Sequence, residues 1–190
     1  GLTEVTSAHS DGAHAVIRTN RGVLRANRIA LCLNGYAGLF NDSKIPSITP
    51  NRGQVLVTEP VRFELPFVCY AREALCYFRQ LPDRSILIGG FRNLDPQTET
   101  TYVDQINPKL HDQMLAFLER HLNFQKRPMI SNSWSGLMGF SEDERPKIHH
   151  LDPHVSFLGG FSGHGMGLAF HMAKVLNENW QGQPLPQFLL

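Results

Sequence analysis

The residues whose types and spacing best suit chemistry lie between Gly159 and Gly167, where five of nine residues are glycine. Glycine permits positive φ angles and lets a ligand approach the backbone closely. When such a loop leads into a helix, an anionic or electron-rich group can bind there, because the first N–H groups of a helix have no partners within it. A tight turn without any ligand fits the same residues, so the loop alone leaves both interpretations open.

The sequence on either side predicts the elements that would hold this loop. Residues 155–158 are a short apolar run, which is typical of a buried strand. After the loop, apolar residues recur at the spacing of one helix face. These residues are Leu168, Met172, Val175, Leu176 and Trp180. The predicted order is therefore strand, glycine loop and amphipathic helix.

Two other groups of residues point to different chemistry. Three histidines fall within residues 149–154, but Pro153 and the lack of a helical pattern leave their spacing unspecific for a metal. Ser162 lies in Gly-Phe-Ser-Gly-His, which resembles the nucleophile elbow of hydrolases. That motif has glycine at its fifth position, where this chain has His164. Neither a metal site nor a nucleophilic serine is favoured.

Composition narrows the class of protein. The 190 residues carry a net charge of +1 with 42% hydrophobic and 18% charged residues, as in ordinary globular proteins. Nothing in this charge balance points to nucleic acid or to an anionic membrane surface. The three cysteines are too few and too irregular for a disulfide framework, which fits a cytoplasmic protein. No apolar run reaches the length of a membrane span.

The remaining pattern predicts a mixed α+β fold. Short alternating segments predict strands at 3–7, 15–19, 23–26, 28–33, 55–58, 74–80, 85–88 and 129–137. Residues 92–104 are polar and predict a loop. Apolar residues four apart predict a helix over 108–122, with Pro108 in its first turn. We expect antiparallel hairpins in the middle of the chain and α/β elements at both ends.

Five stretches, in order, carry a resemblance to one family. They are IALCLNGYAG, ITPNRGQVLVTEP, YFRQLPDRSILIGG, WSGLMGFSEDERPKI and FLGGFSGHGMGLAFHMAKVL. Together they resemble the C-terminal portion of the FAD-dependent amine and amino-acid oxidases of the D-amino-acid oxidase type. That group includes glycine oxidase, sarcosine oxidase and gamma-glutamylputrescine oxidase.

The resemblance implies a division of the chain and a missing part. Residues 1–45 would be a remnant of the FAD-binding domain, 46–140 the substrate domain, and 141–190 the last part of the FAD-binding domain. The family's N-terminal G-x-G-x-x-G, which holds the ADP half of FAD, has no counterpart here. We therefore expect a fragment or a truncated protein that binds FAD only together with the missing half.

The resemblance also implies which residues meet the flavin and what reaction follows. The residues expected to bind the cofactor are Gly160, Ser162, Gly163, His164, Gly165, Met166 and Gly167. The implied reaction removes a hydride from a carbon bearing an amine, giving an imine that water hydrolyses, while O₂ reoxidises the flavin. The stretch lacks the cysteine that links flavin covalently in some relatives, so non-covalent FAD is expected.

Departures from the family pattern narrow the substrate. Met138 stands where the amino-acid oxidases have an arginine that grips the substrate carboxylate, which favours a longer or secondary amine over a simple α-amino acid. Gly167 stands where sarcosine oxidases have a lysine near the flavin, which puts that mode of oxygen activation in doubt. Tyr77 and Arg79 alternate on one strand face and are candidate substrate-binding residues, although a solvated strand face is the alternative.

For each of three further residues the sequence allows two roles, one functional and one structural. Arg52 either contacts the ligand or anchors its strand. Asn34 and Tyr36 are pocket candidates at a strand tip, with a turn role as the alternative. No catalytic residue can be assigned.

The sequence therefore predicts part of an FAD-dependent amine oxidoreductase whose partner is a small amine. The alternative is a non-catalytic small-molecule binding module with the same fold. Without its cofactor half, the apolar segment 29–33 and the last helix would lose packing partners, so we expect the fragment to associate with itself.

Overall fold

The computed structural model of this chain describes residues 2–189. These residues divide into two compact units. The first unit contains the described residues up to Pro50 and those from Met138 on, and the second unit is Asn51–Leu137. The architecture is mixed α+β, with antiparallel sheets and few helices, which confirms the predicted fold class. The roles predicted for 1–45, 46–140 and 141–190 stay predictions.

Within residues 2–189 the chain forms eleven strands, β1–β11, and three α-helices, α1–α3. The strands are Val5–Ser10, Ala15–Thr19, Gly22–Ala26, Ile29–Leu31, Ile48–Thr58, Cys69–Ala71, Cys76–Gln80, Ile86–Gly90, Ile130–Ser141, Lys147–Asp152 and Val155–Gly159. The helices are Pro96–Glu99, Pro108–His121 and Gly165–Trp180. Short 3₁₀ segments are Asn34–Leu39, Arg92–Leu94 and Gln187–Leu189.

The second unit is organised around a five-stranded sheet in the order β6-β7-β8-β5-β9. Strand β7 pairs antiparallel with β6 and β8, and β8 pairs antiparallel with β5. Because successive side chains of a strand point to opposite faces, Cys76 and Phe78 are buried while Tyr77 and Arg79 are exposed. One face of this sheet is therefore core and the other is open.

Helix α2 covers the buried face of that sheet. Asn107 caps it, since its side-chain oxygen accepts the N–H groups of Lys109 and Leu110, and Pro108 occupies the first turn. Its apolar stripe packs into one cluster with side chains of β5, β7 and β8. The fully or nearly buried members of that cluster are Leu56, Cys76, Phe78, Ile86, Ile88, Phe91, Leu110, Met114, Leu115 and Leu118.

The first unit contains two three-stranded sheets. One is the antiparallel sheet β1-β2-β3, and the other has the order β10-β11-β4 with β4 parallel to β11. Every residue of β11 is buried, as the apolar run at 155–158 predicts. Helix α3 packs Met172, Val175 and Leu176 against this second sheet. Strand β11 thus leads directly into the glycine loop that precedes α3.

Several elements differ from the sequence prediction for identifiable reasons. Strands β6 and β10 lie where none was predicted. The predicted strand 28–33 ends at Leu31, because a 3₁₀ segment begins at Asn34. Strand β5 begins before Pro50, earlier than predicted, and its pairing with β8 starts at Gln54. The predicted loop 92–104 contains the short helix α1.

Candidate functional site: a glycine loop at a helix N-terminus and an aromatic cavity

The glycine loop of the first unit has an unusual backbone path. Gly160, Ser162 and Gly163 have φ angles of 68°, 50° and 87°. The N–H of Ser162 donates to the carbonyl of Gly139 at 2.8 Å, which fixes the loop to the last part of β9. Positive φ at a buried non-glycine residue costs free energy, and such strain concentrates at functional sites.

The loop leads into α3, and the first backbone N–H groups of this helix lack acceptors within residues 2–189. His164 is the N-cap, and its side chain makes no capping hydrogen bond. The N–H groups of Gly167 and Leu168 both donate to the His164 carbonyl at 3.1 Å. Within residues 2–189, no acceptor takes the N–H of Gly165 or Met166. A Cβ placed on Gly167 would meet nothing within 4 Å, so ligand atoms can approach this turn.

Beneath the loop, two segments cross at a distance that only glycine allows. A Cβ on Gly35 would lie 2.9 Å from the carbonyl oxygen of Met138, and one on Gly139 would lie 2.8 Å from the carbonyl carbon of Asn34. The side-chain oxygen of Asn34 is buried and has no hydrogen-bond partner. An unsatisfied buried acceptor is costly, so Asn34 is a candidate for contact with a donor group of a ligand.

The same crossing brings Met138 to the glycine loop. A Cβ on Gly163 would lie 3.8 Å from the Met138 sulfur, which is ordinary van der Waals contact. The side chain beside the loop is therefore an uncharged thioether. The structure thus brings together the predicted loop residues and Met138.

The histidine of the loop is oriented by the backbone. Nδ1 of His164 lies 3.0 Å from the Ser162 carbonyl oxygen. Because a carbonyl oxygen can only accept, Nδ1 carries the hydrogen and Nε2 of the neutral ring is an acceptor. The Ser162 hydroxyl is buried and its contact is with the Gly160 carbonyl, so serine and histidine do not form a nucleophile–base pair.

The histidines at 149–154 do not assemble a metal site. His150 contacts the side chains of Ser156 and Asn179 at 2.9 and 2.8 Å, and His154 contacts the Asn27 carbonyl. Among residues 2–189, no three His, Cys, Asp or Glu side chains are grouped closely enough to hold a metal ion.

In the second unit, Arg52 is held inside the protein. Its Nε and Nη2 each lie 2.9 Å from a carboxylate oxygen of Glu99, and Nη1 donates to the Val103 carbonyl. Burial opposes the charged form of Glu99, but hydrogen bonds from Arg52, Asn107 and Gln54 outweigh it and lower the pKa of its carboxyl. Both partners are buried, which favours the strand-anchoring interpretation of Arg52.

Tyr77 and Arg79 lie on the opposite face of the sheet, in a cavity of about 480 Å³. Trp134 of β9 and Leu87 of β8 also line it. Burial raises the pKa of the Tyr77 hydroxyl, which therefore stays protonated at neutral pH. The sequence pattern did not single out Trp134 as a cavity wall, although its position in the alternating strand was the available signal.

Comparison with known proteins identifies the protein family of this chain. Residues 2–179 match the FAD dependent oxidoreductase family. The chain belongs to that family, whose members use FAD, as the resemblance predicted. It is 25% identical over 185 residues to a protein described as "Probable oxidoreductase OrdL" from Rhizobium meliloti (strain 1021), covering 93% of this chain and 41% of that protein.

Solved structures share the fold. The L-proline dehydrogenase of P. horikoshii is 22% identical with a TM-score of 0.79, covering 97% of this chain and 51% of the other. The glycine oxidase of Bacillus cereus ATCC 14579 is 14% identical with a TM-score of 0.81, covering 98% and 52%. The chain thus spans about half the length of these structures and less than half of the curated relative.

The first-unit site fits the cofactor of this family. Open N–H groups at Gly165 and Met166 suit an electron-rich edge, and the unobstructed Gly167 leaves room for a ring. The Asn34 side-chain oxygen, which has no partner, would be available as an acceptor for an N–H group of such a ligand. These residues are the ones on which a flavin could be held.

Proposed function

We propose that this chain is the substrate-side and flavin-edge part of an FAD-dependent amine oxidoreductase, acting together with the remainder of a longer protein. The observation that carries the proposal is the open N-terminus of α3, reached through a strained glycine loop. Membership of the family supplies the cofactor, and no G-x-G-x-x-G stands in the sequence to bind its ADP half.

The chain's own groups have defined tasks in this proposal. When bound, FAD supplies the two-electron acceptor for oxidising a C–N bond to an imine, which water hydrolyses. The N–H groups of Gly165 and Met166 and the helix dipole would hold an electron-rich edge of the group and would stabilise negative charge there. His164, fixed through Nδ1, offers Nε2 as a hydrogen-bond acceptor at the same loop.

The residues beside the loop favour an amine over a simple amino acid. The sulfur of Met138 lies beside the loop and is uncharged, so it cannot bind a carboxylate there as an arginine would. The absence of a cysteine in the loop favours non-covalent FAD.

Among residues 2–189, none of the helices has the length and apolar character needed to cross a bilayer.

The test is to purify the full-length gene product and the 190-residue chain and to measure flavin absorbance and an amine-dependent loss of that absorbance without oxygen. We expect flavin only in the full-length protein, released unchanged on denaturation. Flavin absent from both proteins would overturn the oxidoreductase proposal and leave a binding module.

A further inference from the structure

A larger cavity of the second unit, here called the loop cavity, lies between two loops. It is bounded by residues 59–63, which follow β5, and by residues 123–129, which connect α2 to β9. Its volume of about 620 Å³ lies in the range of small-molecule sites. All of its walls belong to one compact unit, and it shares no lining residue with the cavity at Tyr77.

Hydrogen bonds fix the first of these loops. The N–H of Glu59 donates to the Met129 carbonyl at 2.8 Å, which joins the two loops at one point. The N–H of Val61 donates to the Arg84 carbonyl at 3.0 Å, and Nη2 of Arg84 donates to the Arg62 carbonyl at 2.9 Å. A wall that is already ordered lowers the entropic cost of binding a ligand.

The second loop is tied both to α2 and to the first loop. Nη2 of Arg127 lies 2.7 Å from a carboxylate oxygen of Asp112, and its Nη1 lies 3.7 Å from one of Glu119. The rings of Phe63 and Phe124 meet edge to face, with their centroids 5.2 Å apart. Both phenylalanines line the cavity and are only half-buried, so aromatic surface remains for a ligand.

The loop cavity also has charged groups that the protein does not use internally. Arg62, Lys126 and Glu59 line it and are exposed. Within residues 2–189, none of these three side chains has an ion pair or a hydrogen bond. The amides of Asn123 and Gln125 line the same cavity. Two cations, one carboxylate and two amides are therefore available to a ligand.

This set of groups matches the parts of a nucleotide. A phosphate monoester carries close to two negative charges, which an arginine and a lysine balance, the arginine binding two oxygens at once. A planar base packs on aromatic rings, and amide side chains pair with the donors and acceptors of base edges. A carboxylate accepts hydrogen bonds from ribose hydroxyls. A simple apolar acid would leave the carboxylate and the amides without partners.

We propose that the loop cavity binds a nucleoside monophosphate. Arg62 and Lys126 bind the phosphate, and Glu59 accepts hydrogen bonds from the ribose. The base packs on Phe63 and Phe124. The inference goes beyond the proposed function and does not depend on it, because the flavin proposal concerns the N-terminus of α3 in the first unit.

The binding test uses AMP, adenosine and inorganic phosphate as probes in calorimetric titrations of the full-length protein with its flavin as purified. We expect AMP to bind, and adenosine and phosphate each to bind at least about tenfold more weakly, since each lacks one half of the contacts and a charge-assisted hydrogen bond contributes that much. Arg62→Gln and Lys126→Gln should each lose about tenfold in AMP affinity. Adenosine binding should stay unchanged in both variants.

The matched control is Lys44→Gln, which removes an exposed lysine of the first unit that does not line the cavity. This variant should bind AMP like the parent. Several results would overturn the inference. These are no AMP binding, AMP affinity unchanged in both Arg62→Gln and Lys126→Gln, an equal loss in Lys44→Gln, or binding of adenosine or phosphate as tight as that of AMP.

Flavin absorbance is recorded on the same preparations, so the two proposals fail separately. AMP binding that depends on Arg62 and Lys126 in a protein without flavin would sink the oxidoreductase proposal alone. An amine-reducible flavin in a protein that does not bind AMP would sink the nucleotide site alone.

Discussion

The hydroxyl of Tyr77 occupies the space in which a side chain on Gly89 would begin. A Cβ on Gly89 would lie 2.5 Å from that oxygen, and the two residues are direct partners across β7 and β8. The tyrosine ring therefore lies over the neighbouring strand, where it forms a wall of the cavity. The Tyr77 ring can take this position only because Gly89, on the neighbouring strand β8, has no side chain.

Gly89→Ala should displace the Tyr77 ring and lower the free energy of unfolding. The added methyl group cannot coexist with the ring, and overpacking of this kind costs about 1–3 kcal/mol of unfolding free energy. Thermal unfolding measures the loss of stability. Gly136→Ala is the matched control, because a Cβ there meets nothing within 4 Å. If Gly89→Ala behaved like Gly136→Ala, the packing account of Tyr77 would be wrong.

Arg52→Gln should destabilise the protein strongly. It leaves the buried carboxylate of Glu99 without its bidentate partner, and removal of one member of a buried pair costs about 3–5 kcal/mol. Denaturant unfolding measures the change. Lys174→Gln, which removes an exposed pair with Glu178 on α3, should change stability little. A small effect of Arg52→Gln would show that Glu99 finds water or another partner.

Glu99 should also make stability fall in acid. Its folded-state pKa is lowered from 4.5, so its contribution is fully present above the unfolded-state pKa and is lost as pH falls through the folded-state pKa. Glu99→Gln should remove this part of the loss. Unfolding free energies measured from pH 6 down to about pH 3 test the point. Parallel curves for the parent and Glu99→Gln would refute it.

The isolated 190-residue chain should associate with itself, and we propose that the first turns of α3 contribute. Met166 and Phe170, four residues apart on one helix face, are 103% and 86% exposed. Replacing both with serine should lower the mass found by sedimentation. Replacing the exposed Val23 and Leu24 of β3 is the control and should not. A monodisperse monomer of the parent chain would contradict the expectation.

Local patterns predicted the local elements of this fold well. Periodicity gave α2 to within one residue at its end, and the apolar run at 155–158 gave β11. The concentration of glycines predicted the loop before α3. Glycine favours positive φ at its own position, so this feature can be recognised without knowing the rest of the fold. Strand β10 was missed, because its polar residues His149 and His150 hide the alternation.

Long-range pairing could not be predicted. Arg52 and Glu99 are 47 residues apart, and nothing near either residue signals the other. The crossing of Gly35 and Gly139 depends on two distant segments meeting. In the sequence Arg79 resembles any exposed strand arginine, whereas the structure shows apolar walls around it and, within residues 2–189, no acidic partner. Sequence patterns singled out Arg52 and Arg79 but not their surroundings, and they did not single out Glu99, Gly35 or Gly139.

Gly167→Asp tests the role of the α3 N-terminus. An acidic residue in the first turn favours the helix itself, and a Cβ there meets nothing, so the fold should be kept or slightly stabilised. The same charge should oppose negative charge developing on a flavin at this turn. Asn177→Asp, near the other end of α3, adds an equal charge as the control.

The measurement that tests the central claim most directly is anaerobic reduction of flavin by an amine in the full-length protein, compared among the parent, Gly167→Asp and Asn177→Asp. We predict amine-dependent loss of flavin absorbance in the parent and in Asn177→Asp. In Gly167→Asp we predict reduction slowed by about tenfold, with thermal stability that is unchanged or slightly higher. Equal reduction rates in all three proteins would contradict the placement of the flavin at this helix.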